Sequence, residues 1–377
     1  MHFRYEPWDG SEFPTQEHLR LFDNFMDYLI DYGEDALRAL RDLAEDPEQA
    51  AIIDQWIEEG LLAKAGARFR LTPRAVHSMQ RRALMEVFGR MRSGGMDGHE
   101  TRQRGTGGEP IEETRPYAFG DPLSDIDLSS TLRNSLARRG TRVPIELDER
   151  DFALHAREAR TSCSTVILLD MSGSMGRWNR FAQAKRCAMA MYAFIRQRYP
   201  LDSVDVVGFA SGAEVIAEHK LPLAMPKRVT LFDPVVRHRV SISELSKAPQ
   251  HFTNLQLGLM TARRILARRG GMNKQVFIIT DGQPTAHVEG DLVYLTYPPT
   301  QQTAVASLSE ALMLSKQGIR FATFALVEDY EDMEWVSFVD QMTRLTKGVA
   351  FYCSSNNLAE CIMESFMSGR RTKTYLA

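Results

Sequence analysis

The sequence is poor in cysteine and contains no long apolar run. Its four cysteines, at positions 163, 187, 353 and 361, form no CxxC pair and have no histidine at metal-ligand spacing. This pattern excludes a disulfide scaffold and a cysteine-based zinc site. No apolar stretch approaches the roughly 20 residues that cross a bilayer, and the first residues lack the apolar core of a secretion signal. We therefore expect reduced thiols, no membrane insertion and a cytoplasmic protein.

The net charge is small but unevenly distributed. The 377 residues carry 46 basic and 49 acidic side chains, a formal charge of −3. Residues 1–62 contain 16 acidic and 4 basic side chains, whereas residues 63–104 contain 10 basic and 3 acidic ones. Opposite charges in adjacent segments indicate either internal ion pairs or a charged contact surface.

Residues 1–92 have the pattern of a small helical domain. Apolar residues at helical spacing predict three helices, over 16–30, 35–43 and 49–60. A strand-like stretch over 68–71 is followed by Thr72 and Pro73, which suit a helix N-cap and a first helical residue. This order of elements resembles a small winged-helix-like bundle.

Residues 93–160 form the predicted connection to a second domain. Glycine and proline are frequent from 93 to 122 and interrupt any apolar periodicity. We interpret this stretch as a Gly/Pro-rich linker or long loop. A short helix is predicted after it, over 127–138.

Strand and helix patterns alternate over residues 161–377. The runs at 164–170 and 274–280 are almost wholly apolar, as in strands that are buried on both faces of a sheet. Predicted helices at 180–199 and 255–268 alternate with them. The pattern predicts an α/β fold with a doubly wound, mostly parallel, Rossmann-like sheet, preceded by the smaller helical domain.

Oxygen-bearing side chains follow two of these strands at one edge of the predicted sheet. Asp170, Ser172 and Ser174 come at alternate positions where the first central strand ends, and Asp281 follows the second. Thr253 precedes the helix between them. Open α/β sheets bind ligands at this carboxyl edge. Two carboxylates and three hydroxyls are hard oxygen ligands, which suit Mg²⁺ or Mn²⁺.

These five residues resemble a complete metal-ion-dependent adhesion site (MIDAS) of von Willebrand factor A (VWA) domains. The resemblance covers about residues 161–370 and includes the order of strands and helices. It implies that the two serines and the threonine bind the metal directly, with the two aspartates acting through water or from behind. It also implies that a partner's carboxylate fills an open coordination position. Phe252 stands where the family usually has a glycine before the threonine.

A bacterial group of VWA proteins with an N-terminal helical region shows a second resemblance. The segments Leu-Thr-Pro-Arg at 71–74 and Phe-Gly-Asp-Pro at 119–122 are similar to that group, which is associated with MoxR-type AAA+ ATPases (CoxE-like). The resemblance implies a non-enzymatic adaptor that captures an acidic residue of an ATPase or client protein during complex assembly or cofactor insertion. The sequence has no Walker A motif, so ATP hydrolysis is expected in the partner.

An enzymatic alternative uses Asp170 as the nucleophile of a haloacid-dehalogenase-like phosphotransferase. That chemistry needs a second aspartate two residues later as general acid–base, and residue 172 is serine. The sequence therefore disfavours this reaction.

Nucleic-acid binding through the basic segment 64–92 is a further alternative. Its arginines have the charge to contact phosphates. Several of them lie on a helix whose other face is apolar, which is the common arrangement of a solvated helix face. We do not expect a nucleic acid as the partner. The arginines concerned are Arg68, Arg70, Arg74, Arg81 and Arg82.

Two long segments at the metal edge form the predicted partner surface. Residues 220–250 and 284–302 show no clear strand or helix pattern, and loops of this length are often functional. Tyr294 and Tyr297 lie in the second segment. Tyrosines bury a large area at interfaces at low entropic cost. We predict that these two tyrosines contact the partner; their alternative role is to pack the loop onto the sheet.

Overall fold

The computed structural model describes most of the chain. The described residues are 16–66, 68–88, 110–117, 126–140, 144–157, 162–270, 273–327, 333–354, 358, 361–362 and 374–375. Of the predicted linker, residues 93–109 and 118–125 lie outside the described part, and with them the segment at 119–122. The described elements belong to two compact units, one formed by residues 1–92 with 163–377 and the other by residues 93–162.

The described part of the N-terminal region contains four helices and a β-hairpin. The three predicted helices are confirmed, and Thr72 caps the fourth by accepting a hydrogen bond from Ala75 N at 3.2 Å. The predicted strand at 68–71 pairs with a preceding strand that the sequence pattern does not reveal. The elements are α1 (Gln16–Tyr32), α2 (Glu34–Leu43), α3 (Pro47–Glu58), β1 (Leu62–Ala65), β2 (Arg68–Leu71) and α4 (Pro73–Phe88).

Opposite charges of this region pair with each other. Arg82 lies 2.7 Å from Asp27 and 3.4 Å from Asp23, and Lys64 lies 3.2 Å from Asp54. The uneven charge distribution in the sequence is therefore in part an internal pairing. Exposed pairs of this kind contribute little to stability.

The described residues of the segment 93–162 form a two-stranded antiparallel sheet, one α-helix and a short 3₁₀ turn. Asp127 caps this helix, accepting a hydrogen bond from Ser129 N at 2.9 Å, which agrees with the predicted helix. The first strand lies within the predicted linker and is absent from the sequence interpretation, because its partner strand is distant in the chain. The elements are β3 (Pro110–Pro116), α5 (Leu128–Arg139) and β4 (Ala153–Arg157).

The main sheet has seven strands and is mostly parallel, which confirms the predicted fold class. β5 (Cys163–Asp170) lies at its centre between β6 (Ser203–Phe209) and β9 (Asn273–Thr280). The antiparallel strand β7 (Ala213–Ile216) closes one edge. On the other side of β9 follow β12 (Arg320–Leu326), β13 (Val349–Cys353) and β14 (Thr374–Tyr375).

Helices cover both faces of this sheet. Consecutive side chains of β5 face opposite sides of the sheet. Ile167 and Leu169 pack with the helix over Arg180–Arg198 and with the N-terminal helices, while Val166 and Leu168 pack with the three later helices of this domain. The helices are α6 (Arg180–Arg198), α7 (Leu255–Arg268), α8 (Gln301–Lys316) and α9 (Met333–Thr346). α6 is buried on nearly all sides, although the sequence predicts one apolar stripe, because it lies between the sheet and α4.

The segments predicted as structureless loops contain a second sheet, so that prediction is wrong. β8 (Val236–Ser241), β10 (Ala286–Glu289) and β11 (Leu292–Tyr297) form a three-stranded antiparallel sheet in the order β10-β11-β8. β8 of the first segment pairs with β11 of the second, and such non-local pairing gives no signal in either segment alone. β10 and β11 form a local hairpin across Gly290 and Asp291, which is a recognisable turn signal that the prediction missed.

No helix in the described part of the chain has the length and apolar character needed to cross a membrane. All four cysteines lie among the described residues, and none of them is in a disulfide. Cys163 is half-buried and the other three cysteines are buried. Burial raises the pKa of the Cys163 thiol to about 11, so this thiol is protonated at neutral pH.

Lys185 is a fully buried lysine of α6. Its Nζ donates hydrogen bonds to the carbonyl oxygens of Pro222 and Ala224, each at 2.9 Å. Burial lowers the pKa of the Lys185 amine to about 7. The same segment continues to Lys227, whose N–H donates to the carbonyl of Met171 at 2.8 Å. Lys185 therefore fixes backbone that lies beside the loop after β5.

We expect Lys185 to make the protein more stable as the pH rises from about 7 to 10. In this range the unfolded lysine, with a pKa of 10.5, binds a proton that the folded lysine lacks, so a higher pH favours folding. The gain is at most about 1.4 kcal/mol per pH unit. Denaturant unfolding of the wild type and of Lys185→Met at several pH values measures it. A difference in unfolding free energy that stays constant with pH, or falls, would contradict the prediction.

Candidate metal site

The predicted ligands lie at the carboxyl edge of the main sheet, where β5 and β9 end side by side. β5 ends at Asp170, and Asp281 directly follows the end of β9. Because the two strands are parallel neighbours, both aspartates reach the same edge. A short 3₁₀ turn over Gly173–Gly176 then leads toward α6.

Ser172 and Ser174 lie close to each other, and Ser174 contacts Asp281. Their Oγ atoms are 3.1 Å apart, and Ser174 Oγ donates a hydrogen bond to Asp281 Oδ1 at 2.8 Å. Gly173 between them packs against Val229, since a Cβ at this glycine would come 2.6 Å from Val229 Cγ2. The Ser-Gly-Ser sequence therefore places two hydroxyls side by side while allowing a close approach of the neighbouring segment.

Asp170 is fully buried and held in one orientation. Its Oδ1 accepts a hydrogen bond from Ser172 N at 2.8 Å, and its Oδ2 accepts one from Thr280 Oγ1 at 2.5 Å. The two carboxyl oxygens of Asp170 thus accept hydrogen bonds from residues at the ends of both central strands, β5 and β9. Asp170 positions the loop that carries the serines.

Asp281 joins three parts of the site. One carboxyl oxygen accepts from Ser174, and the other, Oδ2, lies 2.9 Å from a guanidinium nitrogen of Arg180, the first residue of α6. The side chains of Arg180 and Asp281 are 6% and 0% exposed, so this ion pair is buried. Removing one partner of such a pair leaves an uncompensated charge in the interior.

Burial raises the pKa of both site carboxyls. The pKa of Asp170 rises to about 7, first because burial disfavours the charged form and second because the Asp281 carboxylate is close. The pKa of Asp281 is raised by burial, against the opposing effect of Ser174 and Arg180. The site thus brings two carboxyl groups into the interior with Arg180 as a neighbouring cation.

Thr253 reaches the same edge through its backbone. Its N–H donates to Thr285 Oγ1 at 2.8 Å, and its carbonyl accepts from Thr285 N at 2.9 Å. Within the described part of the chain, its hydroxyl makes no hydrogen bond with the other four predicted ligands. Phe252, which replaces the glycine usual at this place, is buried in the core of the smaller sheet and stacks on His251 with ring centroids 4.5 Å apart.

The residues at this edge fit a hard divalent cation. Among the described residues, no group of three or more His, Cys, Asp or Glu side chains could hold a metal ion. A cation here would therefore depend on the serine and threonine hydroxyls as well as on the carboxylates. Oxygen atoms with few formal charges suit Mg²⁺ or Mn²⁺ and not a soft metal.

Arg180 and Thr280 are site residues that the sequence interpretation does not include. Thr280 follows an apolar run, and the sequence alone marks it only as the last residue of a strand. Arg180 reads as an ordinary charged residue at a helix start. A cation in the first turn opposes the helix dipole, and this conflict is the only sequence signal that could have singled it out.

The two predicted partner-binding tyrosines lie in different environments. Tyr294 is half-buried in β11, and its ring stacks on that of His287 with centroids 5.0 Å apart. Tyr297, at the end of β11, is 50% exposed, and its carbonyl accepts a hydrogen bond from Arg237 at 2.7 Å. Tyr297 is therefore accessible to a partner, whereas the ring of Tyr294 is largely used within the small sheet.

Exposed apolar side chains occur on the segments around the two serines. Trp178, which follows the 3₁₀ turn, is 59% exposed. Phe232, in the segment that leads from Val229 to β8, is 86% exposed. Exposed arginines accompany them at positions 177 and 228, the latter lying 3.6 Å from Asp35. The edge combines a candidate cation site with apolar and basic surroundings.

Solved structures with a similar arrangement of elements are distant in sequence. The PilB minor pilin from Streptococcus sanguinis has a TM-score of 0.43 and 14% identity, over 58% of this chain and 64% of that one. The vWF domain of the type V pili tip protein Mfa5 from Porphyromonas gingivalis has a TM-score of 0.37 and 13% identity, over 58% of this chain and 98% of that one.

Curated relatives match by sequence. A protein named "Uncharacterized protein Rv0959" from Mycobacterium tuberculosis is 26% identical over 346 residues, which are 90% of this chain and 47% of that protein. The UPF0229 protein BH1031 of Halalkalibacterium halodurans is 31% identical over 93 residues, 24% of each chain. The chain thus spans about half the length of the mycobacterial relative.

Two family descriptions match along the chain. Residues 109–156 match "Rv0959-like protein, third domain", and residues 163–367 match "Rv0959-like protein, vWA domain". The second match covers the seven-stranded sheet through β13 and all five predicted metal ligands. It confirms the expected VWA fold, and the chain belongs to the Rv0959-like family of vWA-domain proteins.

Proposed function

We propose that this protein is a non-enzymatic, metal-dependent adaptor that captures an acidic residue of a partner protein. The series of contacts from Ser172 to Ser174 and from Ser174 to Asp281 at the sheet edge is the observation that supports this function most directly. A vWA domain is consistent with a protein-binding role. When bound, Mg²⁺ or Mn²⁺ would supply a positive charge that attracts the partner's carboxylate.

The hydrogen bonds around the site suggest a division of roles among the five residues. Ser172, Ser174 and Thr253 offer hydroxyl oxygens and are the proposed direct ligands. Both oxygens of Asp170 already accept hydrogen bonds, so Asp170 acts from behind by orienting the loop. Asp281 holds Ser174 in place, and its charge balances a cation at the edge.

The partner would contact the exposed side chains around this edge. Tyr297, Trp178 and Phe232 provide apolar area for such a contact, and Arg177 provides positive charge. Aromatic and arginine side chains are enriched among residues that dominate binding energy. Tyr294 supports this surface by stacking on His287, which keeps the end of β11 in place.

The proposed partners are a MoxR-type AAA+ ATPase and its client protein. This part of the proposal rests on the resemblance to CoxE-like proteins, whose helical region precedes the VWA domain as it does here. The adaptor would couple ATP-driven remodelling by the partner to complex assembly or cofactor insertion. Neighbouring genes that encode such an ATPase would support the assignment.

The geometry of Asp170 argues against the phosphotransferase alternative. A carboxylate nucleophile must approach phosphorus with a free oxygen. Asp170 is fully buried, and each of its oxygens accepts a short hydrogen bond. Residue 172, where the general acid–base would stand, is a serine that is hydrogen-bonded to Ser174.

The contacts of the basic segment give the nucleic-acid alternative little support. Arg82 pairs with two aspartates, and Arg74 donates to the carbonyl of Glu59 at 2.5 Å. Lys64 pairs with Asp54. The charges of Arg82 and Lys64 are thus partly neutralised within the N-terminal region, and Arg74 is engaged by a carbonyl, so all three are less available to phosphates.

Replacing both serines should abolish metal binding without unfolding the protein. We expect Ser172→Ala with Ser174→Ala to lower the affinity for Mn²⁺ by at least about 100-fold, since even outer-shell changes cost 10- to 100-fold. Isothermal titration calorimetry with Mn²⁺ measures the loss. A matched control is Ser241→Ala with Ser243→Ala. These two serines form an exposed pair at the C-terminal end of β8, with Oγ atoms 2.9 Å apart. Equal Mn²⁺ affinity in the site variant and the control would refute the metal assignment.

Variants of the two tyrosines should affect different properties: partner capture for Tyr297 and thermal stability for Tyr294. Tyr297→Ala should weaken Mg²⁺-dependent capture of a MoxR-type ATPase by about 2 kcal/mol, because an exposed aromatic anchor is lost. Its thermal stability should barely change. Tyr294→Ala should lower stability by about 0.5–1.5 kcal/mol, because it loses the stacking on His287. A pull-down of the ATPase in the presence of Mg²⁺ measures capture. If Tyr297→Ala captures the ATPase as well as the wild type does, the partner docks elsewhere.

A further inference from the structure

Arg180 is an unusual residue for the first position of a helix at a metal site. Its guanidinium lies 2.9 Å from Asp281 and 4.5 Å from the centroid of the Trp178 ring. Its Nε is buried and has no hydrogen-bond partner among the described residues. Arg180 is thus held by one carboxylate and one aromatic face, and not by a network of its own.

Several local features around Arg180 are energetically unfavourable. The helix dipole has its positive end at the first turn of α6, where a cation is destabilising. The two preceding residues, Trp178 and Asn179, have left-handed backbone angles with φ of 49° and 59°. This region is costly for a bulky residue such as tryptophan. Asn179 also provides no side-chain hydrogen bond to cap the helix.

Arg180 changes the charge that a metal ion would meet. Asp170 and Asp281 are the two acidic groups of the site, and both are buried. Arg180 occupies one oxygen of Asp281 and Ser174 occupies the other. A divalent cation beside Ser172 and Ser174 would therefore lie near a buried positive charge that already compensates one carboxylate. Electrostatic repulsion of this kind is weakly screened in the interior.

We propose that Arg180 is a resident counter-ion that couples metal binding to partner binding. This inference rests on the proposed metal-dependent function and adds a residue that sets its affinity. With Arg180 in place, the site holds a divalent cation weakly. A carboxylate from the partner adds the negative charge that offsets Arg180, so metal and partner bind together. Because coupling is reciprocal, each ligand raises the affinity for the other.

Neutral variants at position 180 test this role through metal affinity alone. Arg180→Gln, and Arg180→Met, which keeps an apolar stem against Trp178, should bind Mn²⁺ about tenfold more tightly than the wild type. Arg180→Lys, which keeps the charge, should stay within about threefold of the wild type. Arg196→Gln is the matched control, because Arg196 is an exposed arginine in the last turn of α6, and the Mn²⁺ affinity of this variant should not change. Calorimetry with Mn²⁺, together with circular dichroism to verify folding, gives these values.

Acetate serves as the carboxylate probe for the coupling. At constant ionic strength, replacing chloride by acetate should raise the Mn²⁺ affinity of the wild type by about threefold or more, and that of Arg180→Gln by less. If both neutral variants fail to fold, a wild-type affinity that does not change with acetate still overturns the coupling.

Three results would overturn the inference, and they differ in what else they refute. Folded neutral variants that bind Mn²⁺ no more tightly than the wild type would remove the role of Arg180 and leave the metal site standing. An acetate-independent wild-type affinity would do the same. Absence of Mn²⁺ binding in the wild type and in every variant would instead refute the proposed function together with the inference.

Discussion

The hydrogen bond from Ser174 to Asp281 is the contact on which the site depends. It connects the loop after β5 with the loop after β9, the two central strands of the sheet. Arg180 extends the connection to the start of α6 through the second oxygen of Asp281. The three segments that form the edge are thus joined through a single buried carboxylate. The position of this carboxylate holds Ser174 beside Ser172. Because the carboxylate is buried, leaving its charge without a counter-ion would cost free energy.

The loops of the site are also held by backbone contacts from distant parts of the chain. Gly173 N donates to the carbonyl of His251 at 3.0 Å, which joins the serine loop to the segment before Thr253. Lys227 N donates to Met171, and Lys185 fixes the residues that lead to Lys227. The smaller sheet holds Thr253 through Thr285. This support keeps a polar, partly buried cluster in one arrangement, which a binding site needs for pre-organisation.

The sequence predicted the α/β fold, most helices and the convergence of four oxygen-bearing residues, because strand order and apolar runs are local signals. It did not predict the smaller sheet. β8 and β11 are separated by α7 and β9 and pair only through tertiary structure, whereas the hairpin of β10 and β11 carries a local turn signal that the prediction missed. Arg180 was equally hidden, because its role depends on Asp281, a hundred positions away in the chain. The burial of α6 on nearly all sides likewise follows from α4, whose packing on α6 no local pattern reveals.

The central claim is that Ser172 and Ser174 bind a divalent cation at the sheet edge. Anomalous X-ray diffraction from crystals of the protein grown with Mn²⁺ tests it most directly. We expect an anomalous peak about 2.0–2.4 Å from the Oγ atoms of both serines, the range for oxygen ligands of such ions. A map with no peak at these hydroxyls, in crystals where the bond between Ser174 and Asp281 is intact and Mn²⁺ binds only elsewhere, would contradict the claim.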